Sequence, residues 1–293
     1  MTLLDDVAAR LRAAGCVFAE EEAALLLDAD GVRGGQAGML EEFVARRVAG
    51  EPLEHVLGRV EFAGRRWSVG PGVFVPRRRT ELMVRTALAE VSGSRGRIPR
   101  RGPDNSADAV VVVDLCCGCG AVGGAVLLGL RSHVPDGGTP AGRSPRVTLH
   151  ASDVDPAATA HARANLEPLG ATVRTGDLLE PLPTELRGRV DVLLCNAPYV
   201  PADAIATMPP EARDHEPPTA LDGGPDGLHV LRRVVAAAPD WLRAGTGRLL
   251  FEISPGQAAT AVALAERAGL RPAVVHDEDA DGPGGTVVVA TLP

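Results

Sequence analysis

The stretch AVVVVDLCCGCGAVGGA, Ala109 to Ala125, decides the fold class. Four consecutive valines with no polar residue between them cannot form a half-solvated strand, which would alternate. They fit a strand buried on both faces, as in the interior of a parallel sheet. The run ends in Asp114, and the glycine-punctuated turn Cys116 to Gly120 leads into a helical pattern from Ala121. Working outward, the same grammar recurs. VTLHASD (147–153), ATVRTGD (171–177), VDVLLCN (190–196) and GRLLFEI (247–253) are strand-like runs that close on or near a polar or acidic residue. Helical segments are expected at Ala121 to Leu130, Pro156 to Leu169, Leu228 to Leu242 and Gln257 to Ala268. Strands alternating with helices predict an α/β fold whose mostly parallel sheet is covered on both faces. The last two runs, RPAVVHDE and GTVVVATLP, are joined through the turn-rich DADGPGG and predict a hairpin that places one antiparallel strand in the sheet.

Upstream the pattern is different. LLDDVAARLRAAG, AEEEAALLLDADG and GMLEEFVARRVAG are short amphipathic helical segments, each closed by glycine, and predict a small helical domain over residues 1–52. VEFAGRRWSV alternates apolar residues around Gly64, a hairpin signal within a linker at 53–80, and a helix is expected from Glu81 to Val91. The larger domain then covers 81–293. Residues 92–108, with their Arg95 to Arg101 cluster, and the Gly/Pro/Ser-rich insertion 132–145 are expected to be loops.

Composition excludes several functions. A net charge of −8 argues against a general nucleic-acid binder, because such affinity rests on Lys and Arg neutralising phosphates. The five cysteines, three of them crowded at Cys116, Cys117 and Cys119, suit a reducing cytoplasmic compartment better than a disulfide framework. Adjacent cysteines without a second Cys-x-x-Cys pair make a metal site there unexpected. The acidic start and the lack of a long apolar run give no expectation of a signal peptide or membrane span.

In open parallel sheets ligands sit beyond the carboxyl ends of the strands, and the informative residues lie there. The turn Cys116, Cys117, Gly118, Cys119, Gly120 lets backbone approach a ligand after Asp114. Asp153, ending the second run, is where a ribose would offer its hydroxyls. Asp177 is placed for an adenine edge and Leu178 for its face. No phosphate-binding lysine follows the turn, which disfavours a nucleoside triphosphate and favours a phosphate-free nucleoside such as S-adenosylmethionine. The fourth run ends in Asn196-Ala197-Pro198-Tyr199, with the only tyrosine of the 293 residues. A carboxamide oxygen, two backbone carbonyls and a flat ring together suit an NH2 group on an sp2 carbon. An amide nitrogen is a poor nucleophile, so such a site must orient it toward an electrophilic methyl.

The chain resembles the protein-(glutamine-N5) methyltransferase family, which methylates the glutamine of a Gly-Gly-Gln loop in peptide-chain release factors. The resemblance runs through RRVAGEPLEHVLGRVEF, VFVPRRRTE, VVDLCCGCGAV, ASDVDPAATAHARAN, GDLLEPL, LLCNAPYV, HEPPTALDGGPDGL and RLLFEISPGQ, in that order. It implies a Rossmann-like class I methyltransferase fold with a seven-stranded sheet, S-adenosylmethionine converted to S-adenosylhomocysteine, no metal, and an N-terminal helical domain that grips a protein substrate. It implies catalytic and substrate-binding roles for Asn196, Pro198 and Tyr199, with the Ala197 carbonyl beside them. Arg77, Asp114, Cys116, Cys117, Gly118, Cys119, Gly120, Asp153, Asp177, Leu178 and Asn196 would line the cofactor. Pro76-Arg77 and Glu216-Pro217 resemble two segments that close over the site. A cytoplasmic monomer without membrane or nucleic-acid partners is the expectation. The chain departs from the family pattern at Cys116, where glycine is usual, at Ala197, where proline is usual, and in PRRRTE, which is more acidic elsewhere. These departures leave open a nucleic-acid exocyclic amine or a small-molecule amide or amine as acceptor.

Overall fold

The computed structural model describes residues 2–36, 38–92, 109–132, 146–277 and 284–293. All but Ser92 of the expected loop at 92–108, nearly all of the 132–145 insertion and most of the closing 279–285 turn lie outside these residues.

The N-terminal part contains α1 (Leu3–Ala13), α2 (Ala19–Leu27), the single turn α3 (Asp30–Arg33), α4 (Met39–Val48) and α5 (Leu53–Leu57). The sequence periodicity finds α1, α2 and α4. The two extra helices are too short to show a repeat. Thr2 begins α1 with a reciprocal cap, accepting from the Asp5 N–H while its own N–H donates to the Asp5 carboxylate. Val7, Leu11, Ala23, Leu26, Val44 and Val56 form a buried cluster of their own. Arg47, itself buried, pairs with Glu22 at 2.6 Å and reaches Glu211 at 3.3 Å, tying these helices to the larger body.

The strands β1 (Arg59–Phe62) and β2 (Arg65–Ser68) form the expected hairpin. Its two turn residues, Ala63 and Gly64, both have positive φ, the conformation whose twist matches a two-residue hairpin. Val60, Phe62, Trp67 and Val69 join the core of the larger body. Asn165 locks the hairpin down, accepting from the Ser68 N–H and donating to the carbonyls of Ser68 and Cys119. The hairpin thereby fixes where the following segment 70–80 crosses the sheet.

That sheet consists of β3 (Val110–Leu115), β4 (Val147–Asp153), β5 (Thr172–Thr175), β6 (Val192–Cys195), β7 (Arg248–Glu252), β8 (Arg271–His276) and β9 (Thr286–Thr291), in the order β5-β4-β3-β6-β7-β9-β8. Only β9 runs antiparallel to its neighbours. The α/β class, the seven strands and the terminal hairpin are as the sequence predicts. α6 (Glu81–Ser92), α7 (Ala121–Ser132) and α8 (Pro156–Leu166) belong to one face. The short α9 (Pro210–His215) and α10 (Pro218–Leu221) lie between β6 and α11 (His229–Trp241), which covers the other face with α12 (Ala258–Arg267). Among the described residues no helix is long and apolar enough to cross a membrane.

Candidate active site

The carboxyl ends of β3, β4 and β6 open into a cleft that the segment 72–80 and residues 217–221 also line. Asp114, next to last in β3, is buried, and its carboxylate accepts the Gly123 N–H at 2.9 Å. A Cβ on Gly123 would stand 2.6 Å from that carboxylate, so only glycine allows this approach. Burial pushes the Asp114 carboxyl up to about 7, with the negative charge of Asp153 adding to it and the Gly123 N–H opposing it. A carboxyl raised by folding takes up a proton in the native state that the unfolded chain has released, so it lowers stability as pH rises from about 4 toward 7. Asp114→Asn keeps an oxygen for Gly123. The variant should melt a few degrees above the ligand-free wild type at pH 8 and level with it below about pH 4, as thermal scans across pH would show.

The following turn holds Cys116 at φ 52°, a region that costs a side chain roughly 1 kcal/mol where glycine is free. The departure from the family pattern at this position is therefore a strained one. Cys116→Gly should raise unfolding free energy by up to about 1 kcal/mol in urea titrations. The Cys116 thiol is pushed well up by its hydrogen bond with Cys195 and by burial, and burial does the same to Cys117 and Cys119. Cys117 and Cys119 pack into the core on one face of the sheet and Cys116 against the core on the other. Among the described residues no cluster of three His, Cys, Asp or Glu side chains is placed to hold a metal ion.

Asp153 ends β4. Its carboxylate accepts from the Gly118 N–H at 2.9 Å and the Asp155 N–H at 3.0 Å, joining β4 to the glycine turn. The cap of α8 is Asp155, which accepts from Ala157, so Asp153 is not consumed as a helix cap. Val154, beside it, lines the cleft while 60% exposed, an apolar face the sequence reading missed.

Asn196, Ala197, Pro198 and Tyr199 line the same cleft from the end of β6. Their loop is pinned by the Val200 N–H to Leu221 and the Gly223 N–H to Val200. The two cover segments meet over it. Glu216, buried between α9 and α10, accepts from the Val75 N–H and pairs with Arg77 at 2.6 Å, while Arg77 lies over the Phe74 ring at 4.9 Å.

The structure brings Arg77, Asp114, Cys116, Cys117, Gly118, Cys119, Asp153 and Asn196 to Tyr199 together around one cleft. It does not bring Asp177, Leu178 or Gly120 to it. Asp177 instead pairs with Arg233 of α11 at 2.5 Å, and Leu178 turns through positive φ with its carbonyl accepting the Ser152 hydroxyl. Besides Val154, three residues have roles that the sequence reading does not assign. Arg79 lines the cleft, the buried Glu252 ends β7, and Gln257 donates to the Tyr199 carbonyl. The only signal for Glu252 is an acid set between Phe251 and Ile253.

No protein-family model matches the chain. A release factor glutamine methyltransferase of Bordetella pertussis is 36% identical over 282 residues, covering 92% of this chain and 93% of that protein. One from Geobacter sulfurreducens is 37% identical over 228 residues, covering 77% and 69%. A 4-amino-L-phenylalanine/4-methylamino-L-phenylalanine methyltransferase of Streptomyces pristinaespiralis is 36% identical over 227 residues, covering 78% and 69%. Among solved structures the hMettl16 catalytic domain superposes with a TM-score of 0.54 at 13% identity, over 86% of this chain and 82% of that one, a likeness of fold. On the strength of these relatives, the chain belongs to the release factor glutamine methyltransferase family.

Proposed function

We propose that the protein methylates the side-chain amide nitrogen of a glutamine in a protein substrate, the Gly-Gly-Gln loop of peptide-chain release factors, in the cytoplasm and as a monomer. The observation that carries this reading is that Asn196, Pro198 and Tyr199 stand in the same cleft as Asp114, Asp153 and the glycine turn. S-adenosylmethionine, when bound, supplies an electrophilic methyl group on a sulfonium sulfur. The residues fit it: Asp153 presents carboxylate oxygens for ribose hydroxyls, Val154 an apolar face for a base, and the turn Cys116 to Cys119 a backbone edge. Asp177 and Leu178, which the resemblance assigns to adenine, are not among the residues lining the cleft. On the acceptor side the Asn196 oxygen and the Ala197 or Pro198 carbonyl each accept one N–H, and the Tyr199 ring lies flat against the amide plane. Holding both hydrogens in that plane fixes the direction of the nitrogen lone pair, which is the work an unreactive amide requires. Arg77 and Glu216, joined over the cleft, exclude water during transfer. The helices of residues 1–52, tied to α9 by Arg47 and Glu211, hold the substrate protein.

A second acceptor class satisfies the same donors. An aromatic amine also carries an NH2 on an sp2 carbon, and the Streptomyces pristinaespiralis relative is named for such a molecule. The test is incubation with methyl-labelled S-adenosylmethionine and purified release factors, followed by peptide mass spectrometry. One methyl on the Gly-Gly-Gln glutamine is the expected result. Label on 4-amino-L-phenylalanine, with none on release factors, would move the substrate to the second class.

A further inference from the structure

Both ends of Tyr199 are held by other side chains. Its hydroxyl donates to Glu252 Oε1 at 2.8 Å and accepts from Arg79 Nη2 at 2.8 Å and Nε at 3.2 Å. At its other end the backbone carbonyl accepts from Gln257 Nε2 at 2.9 Å. Arg79 also pairs directly with Glu252 at 3.2 Å. Glu252 is 1% exposed and its Oε2 has no partner, so Arg79 supplies the compensation its charge requires. The register of β6 and β7 sets Cys195 opposite Phe251, which brings Glu252 level with Asn196 at the cleft edge.

We propose that Arg79 and Glu252 are positioning residues that fix the Tyr199 ring against the acceptor group. Two departures from the family pattern then explain each other. Alanine at 197 leaves the loop backbone freer than proline would. Arginine at 79, within the PRRRTE segment that is more acidic in the family, gives the tyrosine hydroxyl a donor and the buried glutamate a counter-charge. An acid at 79 could do neither beside Glu252. The clamp therefore restores from the far end of the ring the rigidity that Ala197 gives up. Because the hydroxyl is engaged on both sides, the acceptor meets only the ring face, which suits a planar NH2 group and no hydroxyl-directed contact.

The proposal rests on reading this cleft as the acceptor site, and its test separates the two. Tyr199 is the only tyrosine in the chain, so protein grown with ring-labelled tyrosine gives one set of NMR ring signals. Arg79→Gln and Glu252→Gln should each move those signals and speed ring flipping. Turnover on release factor or arylamine, whichever the wild type accepts, should fall about tenfold at unchanged cofactor affinity, and Ala197→Pro should recover much of the loss in Arg79→Gln. Unmoved ring signals in both variants would overturn the clamp. So would moved signals with full turnover, or a turnover loss that proline at 197 leaves untouched. Should the wild type methylate neither acceptor, the assignment of the acceptor fails, while the ring spectra still decide the clamp.

Discussion

Asn196→Ala should lower turnover about a thousandfold and leave S-adenosylmethionine binding within a factor of two of wild type. The first half follows from what the carboxamide does. An amide nitrogen shares its lone pair with the carbonyl, and the methyl can be taken up only if both hydrogens are held so that the nitrogen points along the line of transfer. Losing one preorganised hydrogen-bonding group at a reacting centre costs about 10²–10³ in rate, the scale known for oxyanion holes. The Ala197 and Pro198 carbonyls and the Tyr199 ring remain, so the acceptor can still enter, but in many orientations. The second half follows from position. The glycine turn follows β3 and Asp153 ends β4, whereas Asn196 follows β6. Initial rates on release factor together with calorimetry of cofactor binding would separate the two. An equal loss in both measurements would reassign Asn196 to the cofactor alone.

The sheet and most of the site were legible because both obey short-range rules. A run such as Val110 to Val113 has nowhere to go but the interior, and parallel strands all deliver their last residues to one edge. Asp114, Asp153 and Asn196 could therefore be placed together without knowing any contact. The same rule does not foresee the partner of Asp177. After β5 the chain turns through the positive φ of Leu178, and the carboxylate is captured by Arg233, 56 positions later, an ion pair that no local pattern encodes. Nothing local marks Arg79 for the same reason, since its partners lie 120 and 173 positions away. Among its neighbours Arg78 points to solvent and Arg77 joins Glu216. What distinguishes three consecutive arginines is the surroundings each meets, and that is decided by tertiary packing. The strain at Cys116 was half legible. The resemblance marks the position as one where glycine is usual, but only the backbone shows the left-handed φ that makes cysteine costly there.

Asp153→Ala should show the reverse of Asn196→Ala, a weakened cofactor with nearly normal turnover at saturation. The Asp153 carboxylate accepts two backbone N–H groups, from Gly118 and Asp155, and still has lone pairs for two ribose hydroxyls. Hydrogen bonds to a charged group are worth about 1.5–3 kcal/mol, so the dissociation constant should rise roughly ten- to a hundredfold. The change also releases the end of β4 from the turn after β3, and a looser turn adds to the loss. Asp153→Asn separates these contributions. Its single carbonyl oxygen can keep one backbone donor but turns an NH2 toward the other, so the amide should bind cofactor nearly as poorly as alanine despite its equal size. If asparagine instead restored wild-type affinity, shape would be the decisive property. Once cofactor is forced on at high concentration, nothing in Asp153 touches the acceptor, and the rate per bound complex should return to within a few-fold of wild type. A calorimetric titration paired with rates at saturating S-adenosylmethionine checks both statements. A rate that stays low at saturation would show that β4 orients the methyl group as well as holding the ribose.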